Sequence, residues 1–236
     1  MKRDPWVEAL SPEQREAVSL RWEARVQSEL EVGMSFTNLS ERLEQAGIGG
    51  AVLKLARESA QQERRHAELC HELAELYGER NVSLPDMSAW EPIRFGRSRP
   101  ELELHVALLG QTCISETIAS GWLRACIRRI ESPRVRAAYA LHLREELNHA
   151  RVGWTFLAAH PPSADIRRAL SASLRTQVQA NVNAWANEAN FLSGDALPAH
   201  GFLSREDSID AVHATVNDVI YPGLELHGIT PGANES

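Results

Sequence analysis

Three cysteines are all the chain has, and Cys70, Cys113 and Cys126 stand apart with no Cys-x-x-Cys pairing. That spacing excludes a zinc ribbon, a rubredoxin-type iron centre and a disulfide framework, and it fits a reducing cytoplasm. No run approaches the ~20 consecutive apolar residues that a bilayer crossing needs. The opening MKRDPWVEAL lacks the apolar stretch of a signal peptide. A cytoplasmic protein without membrane contact is the expectation. Basic residues are also in deficit. Lys and Arg total 25 against 32 Asp and Glu, a net charge of -7, which leaves no basic footprint for a nucleic acid. A glycine-rich nucleotide fingerprint and an iron–sulfur cysteine set are both missing. Nothing marks a domain boundary, so residues 1–236 are expected to form one domain.

What is present is helical patterning. Hydrophobic residues make up 43% and charged residues 24% of the chain, enough apolar surface for a sizeable core. Ser11-Pro12-Glu13-Gln14 reads as a capping box that opens a helix running to about Ala46, where glycines 47, 49 and 50 stop it. Its apolar face carries Trp22, Val26, Leu30, Gly33 and Thr37, with Glu29 at the edge. A second helix runs from about Gly50 to Tyr77, with Gly78 as its C-cap. Its inner face reads Val52, Ala56, Ser59, Ala60, Glu63, His66, Ala67, Cys70 and Ala74. Residues 79–98, rich in Pro, Ser and Arg, form a connection long enough to return along a bundle. A third helix, Pro100 to about Glu131, places His105, Leu109, Thr112, Cys113, Glu116, Ala119, Ser120 and Leu123 on one face. His105 is about three turns from Glu116, roughly 16 Å along the axis, and reads as a core or pocket residue. A fourth helix opens at Ser132-Pro133 and ends before Pro161. Further helices at about 164–192 and 205–219 follow, the last stopped by Tyr221-Pro222-Gly223. Asp210, His213 and Asn217 on it read as a solvated stripe.

The chemistry concentrates in LHLREELNHAR, residues 141–151. His142, Glu146 and His149 fall at i, i+4 and i+7 and share a helix face. A second Glu-x-x-His lies at Glu63 and His66. Each pair follows a lone inward Glu roughly thirty residues upstream, Glu29 and Glu116. Four helices that each bring a carboxylate inward, two of them adding a His, form the ligand set of a dinuclear metal site in a bundle core. Buried carboxylates are costly unless paired or metal-bound. Glu145 and Glu146 flank the histidine line by similar angles. The symmetry with Glu63-x-x-His66 favours Glu146, and Glu145 stays open.

On Glu29, Glu63, His66, Glu116, Glu146 and His149 the chain resembles the ferritin-like diiron-carboxylate superfamily over about residues 12–160. The extra His142, in HLREELNH, is similar to the His-x-x-x-Glu-x-x-His pattern of the p-aminobenzoate N-oxygenase family. The resemblance implies an all-α, ferritin-like four-helix bundle with additional C-terminal helices. It also implies seven ligands to two iron ions, with manganese an alternative, and O2 activation toward a small organic substrate such as an aryl amine. Electrons would come from a ferredoxin or flavoprotein reductase, and the assembly would be a homodimer. Many diiron enzymes place Asp just before each ligand Glu, where it orients a histidine of the opposite helix. Here Gln62 and Glu145 hold those places. Small residues near the ligands (Gly33, Ala60, Thr112, Cys113, Ser120 and Gly153) could leave a substrate pocket or simply pack tightly. Competing readings are an iron-oxidising or peroxide-reducing ferritin or rubrerythrin relative, a tRNA-modifying hydroxylase, and a helical bundle whose glutamates lie on the surface.

Overall fold

The computed structural model describes residues 4–91, 99–188 and 197–232. Among them every regular element is helical, and one isolated bridge, Leu197 with Phe202, is the only β pairing. The elements are α1 (Pro5–Glu8), α2 (Pro12–Gln45), α3 (Gly50–Gly78), α4 (Pro100–Leu108), a π-helical segment (Leu109–Ser115) and α5 (Glu116–Ile127). They continue with α6 (Pro133–Ala159), α7 (Ala164–Glu188), a 3₁₀ turn (Pro198–His200), α8 (Arg205–Thr215), a π turn (Val216–Ile220) and α9 (Tyr221–Glu225). No helix of the described residues is long and apolar enough to cross a membrane.

The helix starts follow from local chemistry. Ser11 Oγ accepts from Gln14 N at 3.2 Å while Gln14 Oε1 accepts from Ser11 N at 3.0 Å, the reciprocal box. Ser132 and Ser204 cap α6 and α8 in the same sense, by accepting from Val135 N and Asp207 N. The end of α3 differs from expectation. Its left-handed cap is Glu79, at φ 51°, and not Gly78. Gly78 is needed for a different reason: a Cβ there would lie 2.6 Å from Ser19 Oγ, so glycine lets α3 close on α2. The inner face of α2 is also rotated from the expected one. Thr37 is exposed, whereas Phe36, Leu39 and Leu43 are buried and Glu29 sits inside.

Helix α2 packs along α3, α3 against α6, and α6 against α5 and the π segment. Cross-helix pairs set the directions. Gln62 meets His149 and Arg65 meets Glu145, so α3 and α6 are antiparallel. Ser35 bonds Gln111 and Arg25 lies over Trp122, so α2 runs antiparallel to the α4–α5 arm. The short turn between α2 and α3 makes those two antiparallel as well, and α3 therefore runs in the direction of the arm. Helix α7 packs outside these four, on α4, the π segment and α8. The far end of the expected helix at 164–192, like Pro92, Arg94, Arg97 and Asn190, lies outside the described residues.

Two expected helices are not regular. The third is interrupted by the π segment and ends at Ile127 rather than near Glu131. Thr112 Oγ1 donates to Leu108 O at 2.6 Å, which helps satisfy a carbonyl displaced from the α register. Helix α6 presses on this segment at Gly153, where an added Cβ would collide with Thr112 Oγ1. The final helix likewise does not stop at Tyr221-Pro222-Gly223. The π turn shifts the register so that Pro222, which lacks an N–H, stands at the start of α9. Asp210, His213 and Asn217 are all exposed.

The Gly153 contact makes a stability prediction. Gly153→Ala must push Thr112 and Cys113 aside, and overpacking of this kind costs about 1–3 kcal/mol. Chemical denaturation of the metal-free protein should show that loss. A midpoint equal to the parent's would mean the two helices part freely at this point.

Candidate metal centre

The buried apolar residues fall into two clusters. One gathers Phe36, Leu39, Leu43, Val52, Ala56, Leu108 and Phe156. The other gathers Trp22, Val26, Ala67, Cys70, Leu73, Leu123 and Tyr139. Between them, along the same helices, lies a polar layer: Glu29 from α2, Glu63 and His66 from α3, Glu116 at the head of α5, and His142, Glu146 and His149 from α6. All seven are buried, with Glu63, His66 and His149 at 0% exposure. The reading that makes the glutamates surface residues fails on that burial.

Two overlapping groups of four could each hold a metal ion. Glu29, His66, His142 and Glu146 form one, Glu63, His66, Glu146 and His149 the other, and within each group the ligand atoms lie within 4.8 Å of one another. Glu146 is central. Its Oε1 is 2.9 Å from His142 Nε2 and 3.6 Å from His66 Nδ1, and its Oε2 is 3.1 Å from His149 Nδ1. His66 Nδ1 also faces Glu63 Oε2 at 3.2 Å and Glu29 Oε2 at 3.9 Å. Glu116 stands one step outside both groups, with its carboxyl against that of Glu146.

The outer ring nitrogens decide what the inner ones can do. His66 Nε2 lies 3.1 Å from Glu145 Oε2 and His149 Nε2 lies 2.9 Å from Gln62 Oε1. Both partners accept there, so each Nε2 carries a proton, and in the neutral form of either ring the lone pair of Nδ1 would face the carboxylates. Acceptors then face acceptors, an arrangement that needs protons or a cation between them. Glu63 Oε1 shows the same deficit. It is 2.9 Å from His149 Nδ1 but off the line of a hydrogen bond, and it has no other partner among the described residues. Glu145, the alternative to Glu146, reaches across to His66 and to Arg65 at 2.8 Å. It belongs to neither group of four.

Electrostatics agree with a site short of positive charge. Burial raises the Glu63 carboxyl, and repulsion from Glu146 adds to it. Burial raises Glu116 far more, with Glu146 and Glu63 again reinforcing. Burial also opposes the charged form of Glu29, yet His142 and Arg25 beside it hold it well below the usual carboxylate range. For Glu146, His149 and His142 outweigh burial in the same way. Conversely, burial lowers the two imidazoles, but Glu29 and Glu146 lift His142 to about 9, and Glu146 and Glu63 lift His149 to about 10. In the metal-free protein, protons therefore do the neutralising.

Arg25 escaped the sequence reading. It is buried, its Nη2 is 3.2 Å from Glu29 Oε1, and its guanidinium sits over the rings of Trp22, Trp122 and Tyr139 at 5.4, 5.4 and 6.0 Å. The signal was available: Trp22, Arg25 and Glu29 share a helix face, and a charge at an inner position is informative. The six small residues expected around a pocket do not line the cavity that opens over the cluster. Gly33 is a packing contact, where a Cβ would be 3.1 Å from Glu63 Cβ, and Gly153 abuts Thr112 and Cys113. Ala60 backs Gly33, while Ser120 is buried in the wall of α5 with no partner for its hydroxyl among the described residues. The cavity, of about 430 Å³, is bounded instead by Arg25, Ser28, Ala119, Trp185, Glu116 and His142.

No family model, curated protein or solved structure matches the chain. Its fold and site define an all-α protein with a buried carboxylate–histidine cluster able to hold metal ions.

Proposed function

We propose that this chain is a ferritin-like, non-haem diiron oxygenase that oxidises a small organic substrate, with N-oxygenation of an aryl amine as the reaction class. One observation carries the reading. On each of two antiparallel helices a histidine turns one nitrogen to the carboxylates, while its other nitrogen is fixed by the residue just before the facing helix's glutamate. Outer partners of this kind set the tautomer and orientation of metal-bound histidines. Glu29, Glu63, His66, Glu116, His142, Glu146 and His149 would hold the pair of ions, and their oxygen and nitrogen donors suit iron or manganese. Bound iron supplies electrons to O2.

The chain does the rest. Gln62 and Glu145 hold the two rings in the ligating tautomer. Arg25 keeps Glu29 anionic. The apolar clusters on both sides keep water from reaching the layer along the bundle, and the cavity beside Glu116 leaves room for a substrate. Cys70, Cys113 and Cys126 are separately buried, so electrons must come from another protein, a ferredoxin or flavoprotein reductase. A homodimer is part of the same proposal.

The test is an anaerobic Fe(II) titration followed by O2 uptake with and without an aryl amine. Two irons per chain and an oxygenated amine product are expected. Two irons with oxygen consumed only to oxidise iron would favour the ferritin or rubrerythrin-like reading, and no stoichiometric iron would sink both. A pH dependence follows too. His142 and His149 must shed their protons to bind metal, and they hold them up to about 9 and about 10. Below those values protons compete, so affinity should rise with pH from 6 to 9, and metal uptake in weak buffer should acidify the solution. Proton-free uptake with a flat pH profile would contradict this electrostatic picture.

A further inference from the structure

We infer that the outer face of α6, beside α3, is where the electron carrier docks, and that this carrier is a small acidic protein of the ferredoxin kind. The inference rests on the oxygenase reading and adds to it the docking face and the charge of the partner.

Charge is unevenly spread over the chain. On α6, Arg134, Arg136, Arg144 and Arg151 are exposed, while its only acids, Glu145 and Glu146, are buried. The net charge of -7 averages over this face, because the surplus acids lie on other elements. Arg136 donates to Ile130 O, and Arg151 reaches Asn148 Oδ1 at 3.4 Å. No carboxylate of the described residues pairs with any of the four. Ala140, Arg144, Leu147 and Arg151 recur at helical spacing and share one outer stripe. Leu147 stands 52% exposed between the two arginines. An apolar anchor inside a charged rim is the make-up of a small interface.

The face is also well placed. The helices pack in a ring, α2 on α3, α3 on α6 and α6 on α5. The cavity over the cluster opens between α2, α5 and α7, so α3 and α6 form the opposite side. A partner on α6 leaves the mouth of that cavity free. From this side a short series leads inward. Arg65 of α3, 49% exposed, pairs with Glu145 Oε1 at 2.8 Å, and Glu145 Oε2 lies 3.1 Å from His66 Nε2. His66 belongs to both groups of four. A carrier beside Arg65 therefore stands two side chains away from a proposed ligand of both ions. Each reduced ferredoxin gives one electron to one ferric ion, so two encounters return a diferric pair to the diferrous state.

Charge also chooses the occupant. A two-fold contact with a second copy would set this stripe against itself, arginine against arginine. An acidic surface meets attraction instead, and attraction of this kind speeds encounter. The exposed acids of α3 nearest Arg65, Glu68 and Glu72, lie about one and two turns further along that helix, so the positive field centres on α6.

The experiment is isothermal titration of the metal-free, full-length chain with an oxidised plant-type ferredoxin at low salt. Saturable binding is expected, and at least about tenfold weaker binding in about 0.5 M salt, where exposed charges are screened. Arg144→Glu and Arg151→Glu should each weaken binding by about tenfold and the double variant by about a hundredfold. Leu147→Ser should weaken it without changing the salt dependence. Arg168→Glu, at an exposed position on α7, makes the same change in net charge elsewhere and should bind like the parent. With iron loaded, the double variant should be reduced by ferredoxin at least about tenfold more slowly, and by dithionite at the parent's rate. No saturable binding, an Arg168→Glu loss equal to that of Arg144→Glu, or unslowed reduction of the double variant by ferredoxin would each overturn the proposal. Transfer RNA held as tightly through the same arginines would overturn it too, and give the face to a nucleic acid. Iron counting tests the oxygenase reading separately. A chain that takes up two irons but ignores ferredoxin loses the docking face and keeps the metal site.

Discussion

Glu146→Ala is expected to take up no stoichiometric metal and to lose the heat stabilisation that metal gives the parent. Glu146 is the one carboxylate common to both groups of four, and it touches His142, His149 and His66. A ligand present at about a thousand times its dissociation constant stabilises the folded state by about 4 kcal/mol. For a chain of this size that corresponds to roughly 8–16 °C in melting temperature. Calorimetry with and without Mn(II) should show such a shift for the parent and almost none for the variant. The metal-free variant is a poorer readout, because two effects oppose. Removing a buried charge partner costs about 3–5 kcal/mol, yet the loss of Glu146 also relieves the repulsion that raises Glu63 and Glu116. Asp210→Ala serves as control, since Asp210 and His213 lie exposed on α8 and Asn217 on the π turn that follows it. A full metal-dependent shift in Glu146→Ala would place the bound ion elsewhere.

The inward set was legible because a helix repeats every 3.6 residues and each of these side chains sits within an apolar or small-residue stripe. Glu63 and His66 lie between Ser59 and Cys70 on the stripe of α3, and Glu116 is the only carboxylate on its face. Periodicity could not separate Glu145 from Glu146, because both point to the buried half of α6 and both are in fact buried. What separates them is the partner. Glu146 meets the histidines of its own helix, and Glu145 meets His66 of another. That information is tertiary, and the sequence supported it only through the symmetry of the two Glu-x-x-His pairs.

The π segment and the cavities were not legible for related reasons. Leu109–Ser115 reads as ordinary helix, and its close contact with Gly153 is made by another helix, which the spacing of this stretch does not encode. Small residues at helical spacing mark either a void or a close contact. Here Gly33 and Gly153 mark contacts, and the cavity over the cluster is lined by larger side chains, Trp185 and Arg25 among them. Thr37 was misplaced because α2 buries a stripe through Phe36, Leu39 and Leu43, and a face chosen from its N-terminal half drifts off that line.

Glu145→Leu and Gln62→Leu should each lower metal affinity by about 10–100-fold while leaving every proposed ligand in place. Leucine fills similar volume but accepts no hydrogen bond, so the Nε2–H of His66 or His149 loses its partner and the ring its orientation. The proton can then move to Nδ1, where it blocks the lone pair that faces the carboxylates. The Glu145 variant should suffer more, because it also removes a nearby negative charge that makes His66 a better donor. The ion pair with Arg65 adds little to the difference, since the Arg65 side chain is 49% exposed. Competition between the protein and a chelating dye for Mn(II) gives the affinity, and imidazole nitrogen shifts give the tautomer. Glu145→Gln separates charge from geometry, because it puts at position 145 the amide that Gln62 already uses at its counterpart. Recovery of most of the affinity and of the Nε2–H tautomer in that variant would assign the role to the accepting lone pair. Recovery of the tautomer without the affinity would assign it to charge. Leucine variants that bind metal like the parent would remove both residues from the site.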